Sequence, residues 1–549
     1  MATVTSDVRS VDGGKFSLVP ARIDRLRWSR FHTRLVIALG VAWILDGLEI
    51  TIASNATSII SSKQALHMSS ASVAFSVGTI YLLGEVAGAL VFGRMSDAWG
   101  RRNLFMITLG VYLLGGALTA LTWGHSEGWV MWLNVTRFIA GMGIGGEYAA
   151  INSAIDELIP ARYRGRVDIA VNGTYWAGAL IASVLFLEVV KHLSAGYSWR
   201  IAFLFGPALG FIILFVRRNL PESPRWLLMH GRAEEAEAAV AEIERATEHT
   251  GGRLDEVDQS KAIEVRCADD TGFFALAKTL AVTYPKRTVL GAALMITQSF
   301  LYNAIFFTYA LVLTKIYGVS SGNTAYYFMA FAAGNFLGPL LLGHLFDTIG
   351  RRKMITGTYT LAAALLAVSA FLFKAGALSA LTQTLCWCVI FFFASAGASA
   401  AYLTVSEIFP VEVRAKAIAV FFAVAQCFGA FGPWFYGQLI GNGKDHFALF
   451  VGYLIGAGVM FIGAVVELFL GVDAERQSLE DIAMPLGLQS ASAPSPHLSA
   501  MTGAPRPPAA RTVLDLSSGV DAGQGDPDRR GEPVHPHPAE DRERRPQEH

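Results

Sequence analysis

Long runs of apolar residues, separated by short polar loops, dominate the pattern along this chain. Each run is about 20 residues long, the length of helix that spans a bilayer core about 30 Å thick. The runs mostly lack the polar face that a soluble helix shows at the helical period. They fall near residues 34–60, 73–93, 103–123, 130–155, 167–190 and 201–216, and again near 287–313, 322–343, 354–373, 382–406, 417–440 and 447–470. The pattern predicts an all-α membrane protein with twelve transmembrane helices.

Two polar patterns each occur twice, at the same separation. Residues 93–102 and 343–352 share the frame G-x-x-x-D-x-x-G-R-R, and residues 157–164 and 407–414 share the frame E-x-x-P-x-x-x-R. Both repeats are offset by 250 positions. Because two unrelated patterns share one offset, the chain is a tandem duplication. The duplication predicts two pseudo-symmetric bundles of six helices each.

Composition supports a membrane protein and excludes a nucleic-acid-binding one. Only 16% of the 549 residues are charged, against about 25% in soluble domains. The 44 basic and 44 acidic residues balance, so no nucleic-acid partner is expected. No nucleophile–base set or metal-ligand spacing occurs either, which predicts a protein that is not an enzyme and has no cofactor.

The distribution of basic residues among the loops predicts the orientation in the membrane. Basic residues occupy alternate loops: Arg94, Arg101 and Arg102; Arg162, Arg164 and Arg166; Arg351, Arg352 and Lys353; Arg414 and Lys416. By the positive-inside rule these loops and both termini are cytoplasmic, in a cell membrane. No apolar stretch precedes Leu35, so no signal peptide is expected.

The segments outside the apolar runs are predicted to be cytoplasmic. We expect an N-terminal segment at 1–33, an N-terminal bundle at 34–216, a helical linker at 217–286, a C-terminal bundle at 287–470, and a tail at 471–549 that is disordered from about 485. One face of the linker carries Glu234, Glu235, Glu237, Glu242 and Glu244, which we interpret as a solvated face.

The repeated G-x-x-x-D-x-x-G-R-R frame resembles the cytoplasmic loop between helices 2 and 3 of the major facilitator superfamily, where it acts as a conformational latch. Residues 221–227 resemble the sugar-porter signature P-E-S-P-R-x-L, and residues 406–410 also match that branch. The resemblance covers residues 30–485 and implies a transporter with alternating access. It implies a cytoplasmic gate made of Gly93, Asp97, Gly100, Arg101, Arg102, Glu157, Arg164, Asp347, Arg351, Arg352, Glu407 and Arg414. We expect Gly93 to allow close helix approach and Gly100 to adopt an unusual backbone angle.

Ionisable residues inside the apolar runs are candidates for proton coupling, because each is costly there. Asp46 and Glu49 lie in run 1, Glu85 in run 2, and Arg137 and Glu147 in run 4. We expect Asp46 to pair with Arg137. This pair resembles the proton-controlled carboxylate–arginine pair that sugar porters have in spans 1 and 4. The D-G-x-acid order of Asp46 and Glu49 resembles that of the aromatic-acid:proton symporters. A fixed structural ion pair remains the alternative for Asp46 and Arg137, for Glu85 and for Glu147.

Candidate substrate contacts follow from the resemblance in the second half. Sugar porters carry Q-Q-x-x-G-x-N-x-x-x-Y-Y in span 7, of which the second Gln and the Asn match here. The remaining positions depart toward apolar residues, which puts a hexose in doubt and favours an organic or aromatic carboxylate. The expected substrate-binding residues are Asn172, Gln298, Asn303, Tyr302, Tyr402 and Trp434.

A glycine pattern in run 4 imitates a dinucleotide-binding motif. Gly141, Gly143 and Gly146 fit G-x-G-x-x-G, but that motif requires a preceding strand. Here the glycines lie inside an apolar helical run, so close packing between helices explains them better.

The sequence therefore predicts a monomeric transporter whose partners are a small-molecule substrate, protons and the lipid bilayer. We expect proton-coupled uptake of a small organic solute. Residues 167–190 of span 5 contain no proline, although antiporters of the superfamily often carry a Gly-Pro motif there, and this favours uptake. A sugar:proton symporter, an efflux antiporter and a non-transporting membrane sensor remain open.

Overall fold

The computed structural model describes residues 9–11, 14–124, 126–217, 222–251, 254–257, 263–265, 278, 280–409 and 411–473, with the side chains of some helical residues left out. The described residues belong to one compact unit, Met1–Ser492. The tail that was predicted to be disordered from about 485 lies outside them.

The first half consists of long helices that follow the predicted apolar runs. Two short strands and a helix precede it: β1 (Arg9–Val11), β2 (Gly14–Ser17) and α1 (Val19–Asp24). The half itself contains α2 (Arg30–Ile60), α3 (Ser70–Ala74), α4 (Ile80–Trp99), α5 (Arg101–Ala120), α6 (Glu127–Leu158), α7 (Ala161–His192) and α8 (Ala195–Arg217). A π-helical turn, Phe75–Thr79, joins α3 and α4 into one span.

A short connecting region and a second set of long helices follow. The connecting region contains α9 (Pro224–Met229), α10 (Ala233–Gly251) and β3 (Ile263–Val265). The second half contains α11 (Pro285–Lys315), α12 (Thr324–Thr348), α13 (Arg351–Lys374), α14 (Ala380–Glu407), α15 (Val411–Ile440) and α16 (His446–Leu470). Among the described residues, 10 helices are long and apolar enough to cross a membrane. With α6 (32 residues) and α8 (23 residues), they form the twelve predicted spans.

Helix packing repeats between the two halves, as the duplication predicts. In the first half α2 packs on α7, α4 on α6, and α5 on both α6 and α8. The corresponding helices of the second half pack in the same order, α11 on α15, α12 on α14, and α13 on both α14 and α16. Two six-helix bundles with the same internal arrangement therefore face each other.

Glycines let α4 and α6 cross at close range. A Cβ on Gly141 would lie 2.0 Å from the carbonyl oxygen of Tyr81, and one on Gly145 would lie 2.0 Å from that of Glu85. A Cβ on Gly143 would lie 2.4 Å from the backbone nitrogen of Tyr112 on α5. The glycine pattern of this run therefore serves helix packing, which confirms that interpretation.

The N-terminal segment packs against the connecting region instead of lying free. Strand β2 pairs antiparallel with both β1 and β3. Arg22 of α1 donates to Glu237 and, at 2.6 Å, to Oε2 of Glu244. Arg25 donates to Oε1 of Glu244 at 2.6 Å. Glu237 and Glu244 therefore form ion pairs, and the prediction that they lie on a solvated face is wrong.

The arginines of this contact also determine the charge state of Glu244. Burial alone disfavours the charged form and would raise the pKa of Glu244. Hydrogen bonds from Arg22 and Arg25 outweigh burial and hold that pKa below its ordinary value. A depressed carboxyl pKa stabilises the docked form above the ordinary pKa, and this contribution is lost as the pH falls through the lowered value.

Candidate functional site

Arg137 of α6 is fully buried in the first half and forms an ion pair with a carboxylate of α2. Its Nη1 donates to Oε1 of Glu49 at 2.5 Å, and neither side chain is exposed. Its Nη2 donates to the carbonyl oxygen of Val77 at 3.3 Å. The guanidinium carbon lies 4.3 Å from the ring centre of Tyr81 and 5.2 Å from that of Phe203. Glu49 neutralises this cation, and the two rings stabilise it further.

Glu49, and not Asp46, forms the ion pair with Arg137, which corrects the prediction. Asp46 is also buried on α2, three residues earlier. Residues three apart share a face of a helix, so the sequence placed both acids toward α6 without ranking them. Glu147 is buried in α6. Roles for Asp46 and Glu147 in proton coupling remain predictions.

Tyr112 of α5 and Gly206 of α8 complete the surroundings of Glu49, and sequence reasoning missed both. A Cβ on Gly206 would lie 2.5 Å from the hydroxyl oxygen of Tyr112 and 3.3 Å from Oε2 of Glu49. Tyr112 is itself fully buried. A tyrosine in the middle of an apolar run was the available signal, because its hydroxyl needs a polar neighbour there.

The second half presents a group of polar side chains around Asn303 of α11. Asn303 Nδ2 donates to Oγ of Ser299 at 3.1 Å and to Oε1 of Gln426 at 3.2 Å. Ser299 Oγ also donates to Oε1 of Gln426. Asn303 was predicted, whereas Ser299 and Gln426 were missed, although an amide inside an apolar run marks such a position.

Glu85 connects this polar group to the first half. Gln426 Nε2 of α15 donates to Oε2 of Glu85 on α4. The side chain of Glu85 is buried, at 2% exposure. A carboxylate of one half therefore accepts a hydrogen bond from an amide of the other half.

Aromatic side chains from both halves form a wall beside these groups. Trp176 of α7 lies 6.5 Å from the ring of Tyr302, 6.3 Å from that of Phe306 and 6.4 Å from that of Phe331. The Tyr302 hydroxyl donates to Oδ1 of Asn335 at 3.1 Å. Sequence reasoning predicted Tyr302 and missed Trp176, which only the packing of α7 against the second half reveals.

The remaining predicted substrate residues take different positions. Trp434 is 37% exposed and packs against Phe431 on the outer face of α15, so the prediction that it lines a substrate pocket is wrong. Gln298 keeps a buried Oε1 that accepts no hydrogen bond from the described residues. Asn172 and Tyr402 are half-buried. Their roles remain predictions.

The repeated turns of the predicted gate have matching backbone geometry. Gly100 has a φ of 85° and Gly350 a φ of 112°, so the unusual angle expected of Gly100 is confirmed and recurs in the second copy. Arg351 forms an ion pair with Glu407. A Cβ on Gly93 would meet no described atom within 4 Å, and its role in close helix approach remains a prediction.

Two further arginines of the predicted gate, Arg102 and Arg352, make described hydrogen bonds. The backbone N–H of Arg102 donates to Oε2 of Glu222 at 3.3 Å. Arg352 Nε donates to the carbonyl oxygen of Leu468 at 3.0 Å. The remaining gate side chains lie outside the described ones: Asp97, Arg101, Glu157, Arg164, Asp347 and Arg414.

Hydrogen bonds join the halves at the end opposite the repeated turns. Thr79 Oγ1 donates to the carbonyl oxygen of Ala430 at 2.7 Å, and Ser70 Oγ to that of Gly441 at 2.7 Å. Ser54 Oγ donates to the carbonyl oxygen of Phe306. The halves are closed against each other at this end.

Comparison with known proteins places this arrangement in a family. The family described as sugar (and other) transporter matches residues 36–484. The niacin transporter NiaP of Acinetobacter baylyi is 25% identical over 465 residues, which cover 84% of this chain and 99% of that protein. The putative metabolite transport protein YyaJ of Bacillus subtilis is 28% identical over 423 residues, which cover 76% of this chain and 88% of that protein.

A solved structure shares the fold. The xylose transporter XylE from E. coli, in a partially occluded inward-open conformation, superposes with a TM-score of 0.66 at 19% identity. The match covers 82% of this chain and 100% of that one. At this identity the likeness establishes the fold alone.

Proposed function

Because this chain belongs to the sugar (and other) transporter family, we propose that it takes up a small organic carboxylate, preferably an aromatic one, together with protons. The family makes it a multi-pass membrane transporter of the major facilitator fold and not an enzyme. Proton coupling, direction and cargo are the proposed parts.

The buried Glu49–Arg137 ion pair is the observation that carries the proposal. Both side chains have 0% exposure in the interior of the first half. A carboxylate in such a place stays charged only while a cation neutralises it. If Arg137 leaves Glu49 in another conformation, Glu49 binds a proton, and if Arg137 returns, the proton is released. Transport and proton movement are coupled in this way.

Closure at one end of the molecule supports alternating access. The hydrogen bonds that join the halves lie at the end opposite the repeated turns. With the repeated turns on the cytoplasmic side, as the basic loops predict, this conformation is closed outward. Rocking of the halves about the midplane site opens the other side.

The aromatic wall and the polar group of the second half favour an aromatic carboxylate. Trp176, Tyr302 and Phe306 offer flat apolar surface, whereas Gln426 offers amide N–H donors to a carboxylate. Asn303 orients Gln426 and Arg137 is committed to Glu49, so the Gln426 amide is proposed to hold the anion. Niacin, the cargo named for one relative, combines a ring with a carboxylate.

Uptake into vesicles tests the cargo and the coupling together. Purified protein reconstituted in liposomes should accumulate labelled nicotinate when the outside is acidic, and a protonophore should abolish the accumulation. Unlabelled benzoate should compete, and xylose, glucose and inositol should not. Competition by sugars but not by acids would show that the substrate is a sugar and not a carboxylate. Accumulation that survives the protonophore would contradict proton coupling.

A further inference from the structure

The hydrogen bonds between Asn303 and Glu85 have a fixed direction. Gln426 Oε1 accepts from Ser299 and Asn303, so the Gln426 amide N–H groups point away from them. One of these N–H groups donates to Oε2 of Glu85. The amide oxygen is satisfied within the second half, and Glu85 is the acceptor for the nitrogen.

Gly429 shows that this arrangement is tightly built. A Cβ on Gly429 would lie 2.1 Å from Oγ of Ser299 and 2.7 Å from Nδ2 of Asn303. Helix α15 can therefore approach α11 only because this position has no side chain. The close approach holds Gln426 in the orientation that directs its N–H groups to Glu85.

Among the described residues, few ionisable groups act on Glu85. On the helices of the first half they are Tyr81 on α4, Arg137 on α6 and Tyr175 on α7. On the second-half side α15 presents the neutral amide of Gln426. Arg137, the cation of this set, is already paired with Glu49.

A substrate carboxylate that accepts a hydrogen bond from the Gln426 amide nitrogen must lie beside Glu85, because that nitrogen already donates to Glu85. Two ionised carboxylates at one buried site repel each other strongly, so one of the two must carry a proton. We propose that Glu85 is a specificity-determining residue that binds one proton when the substrate carboxylate binds to Gln426. The substrate carboxylate then accepts a hydrogen bond from the Gln426 amide N–H, and the protonated Glu85 can donate its O–H to the same carboxylate. This inference rests on the proposed function, and it adds a proton that is separate from the Glu49–Arg137 pair.

The Kd of an acid and the Kd of its amide should therefore depend differently on pH. Nicotinate brings a negative charge and requires the proton on Glu85, whereas nicotinamide brings none. Where Glu85 is ionised in the free protein, the Kd of nicotinate should fall about tenfold for each unit by which the pH is lowered. The Kd of nicotinamide should stay constant.

The test measures both Kd values for the full-length protein in nanodiscs between pH 5.5 and 8.5. In Glu85→Gln the nicotinate Kd should lose its pH dependence, because the amide is permanently neutral. The control is Thr79→Val, which removes another hydrogen bond between the halves without removing a titratable group. This control should keep the pH dependence of the unmodified protein.

A second measurement uses no variant at Glu85. Calorimetry in two buffers of different ionisation enthalpy should show about one proton bound per nicotinate and none per nicotinamide. The control Thr79→Val should bind the same number of protons per nicotinate as the unmodified protein.

The outcomes separate this inference from the proposed function. Accumulation of nicotinate together with an unchanged pH dependence in Glu85→Gln, or without proton uptake on binding, would overturn the inference alone. If neither nicotinate nor benzoate binds the unmodified protein, the proposed function fails and the inference fails with it.

Discussion

Two tryptophans illustrate how much of a site depends on the face of a helix. Trp176 is 7% exposed and contacts rings of the second half, whereas Trp434 is 37% exposed on the outer face of α15. A helix in a membrane is apolar on all sides, so the sequence pattern cannot tell the lipid-facing side from the inner side. The pattern also did not show which of Asp46 and Glu49 contacts Arg137, and the choice of Asp46 was wrong.

Substitution of these tryptophans should therefore have unequal effects. Trp176→Ala should weaken nicotinate binding about tenfold, because it removes a buried ring from the wall. Trp434→Ala should change the Kd by less than about twofold, as surface substitutions do. Calorimetric titration of the two purified variants checks this. Equal losses of affinity would contradict the position that we assign to the aromatic wall.

At the scale of elements, helix crossings set the positions of the charged groups. Gly145 lies against the backbone of Glu85, so the close approach of α4 and α6 brings Glu85 near Arg137. The apolar runs predicted all twelve long helices, and the repeated glycines correctly predicted a tight crossing. The short sheet of β1, β2 and β3 was missed, because its strands are three or four residues long and β3 lies far from the other two in sequence.

A single methyl group should disturb the crossing of α4 and α6. Gly145→Ala should lower stability by about 1–3 kcal/mol, because the new Cβ would overlap a backbone oxygen. Gly110→Ala in α5 is the matched control, since a Cβ there meets no described atom within 4 Å. Thermal unfolding of both variants in the same detergent is the measurement. A melting temperature of Gly145→Ala equal to that of Gly110→Ala would rule out the tight crossing.

At the scale of the whole molecule, the duplication determines the architecture and a few polar contacts determine the conformation. The offset of 250 positions predicted that both halves would pack their helices in the same order. The repeat could not predict which end of the molecule is closed, because the inward-open and outward-open conformations have the same internal duplication. That information lies in contacts between the halves, such as Thr79 to Ala430 and Gln426 to Glu85.

The central claim is that the buried Glu49–Arg137 pair couples transport to protons. The most direct test compares accumulation and exchange of labelled nicotinate in vesicles that contain Glu49→Gln. This variant should no longer concentrate nicotinate under a proton gradient but should still exchange internal for external nicotinate, because binding and rocking remain. Concentrative uptake by Glu49→Gln at the rate of the unmodified protein would show that the pair does not couple transport to protons.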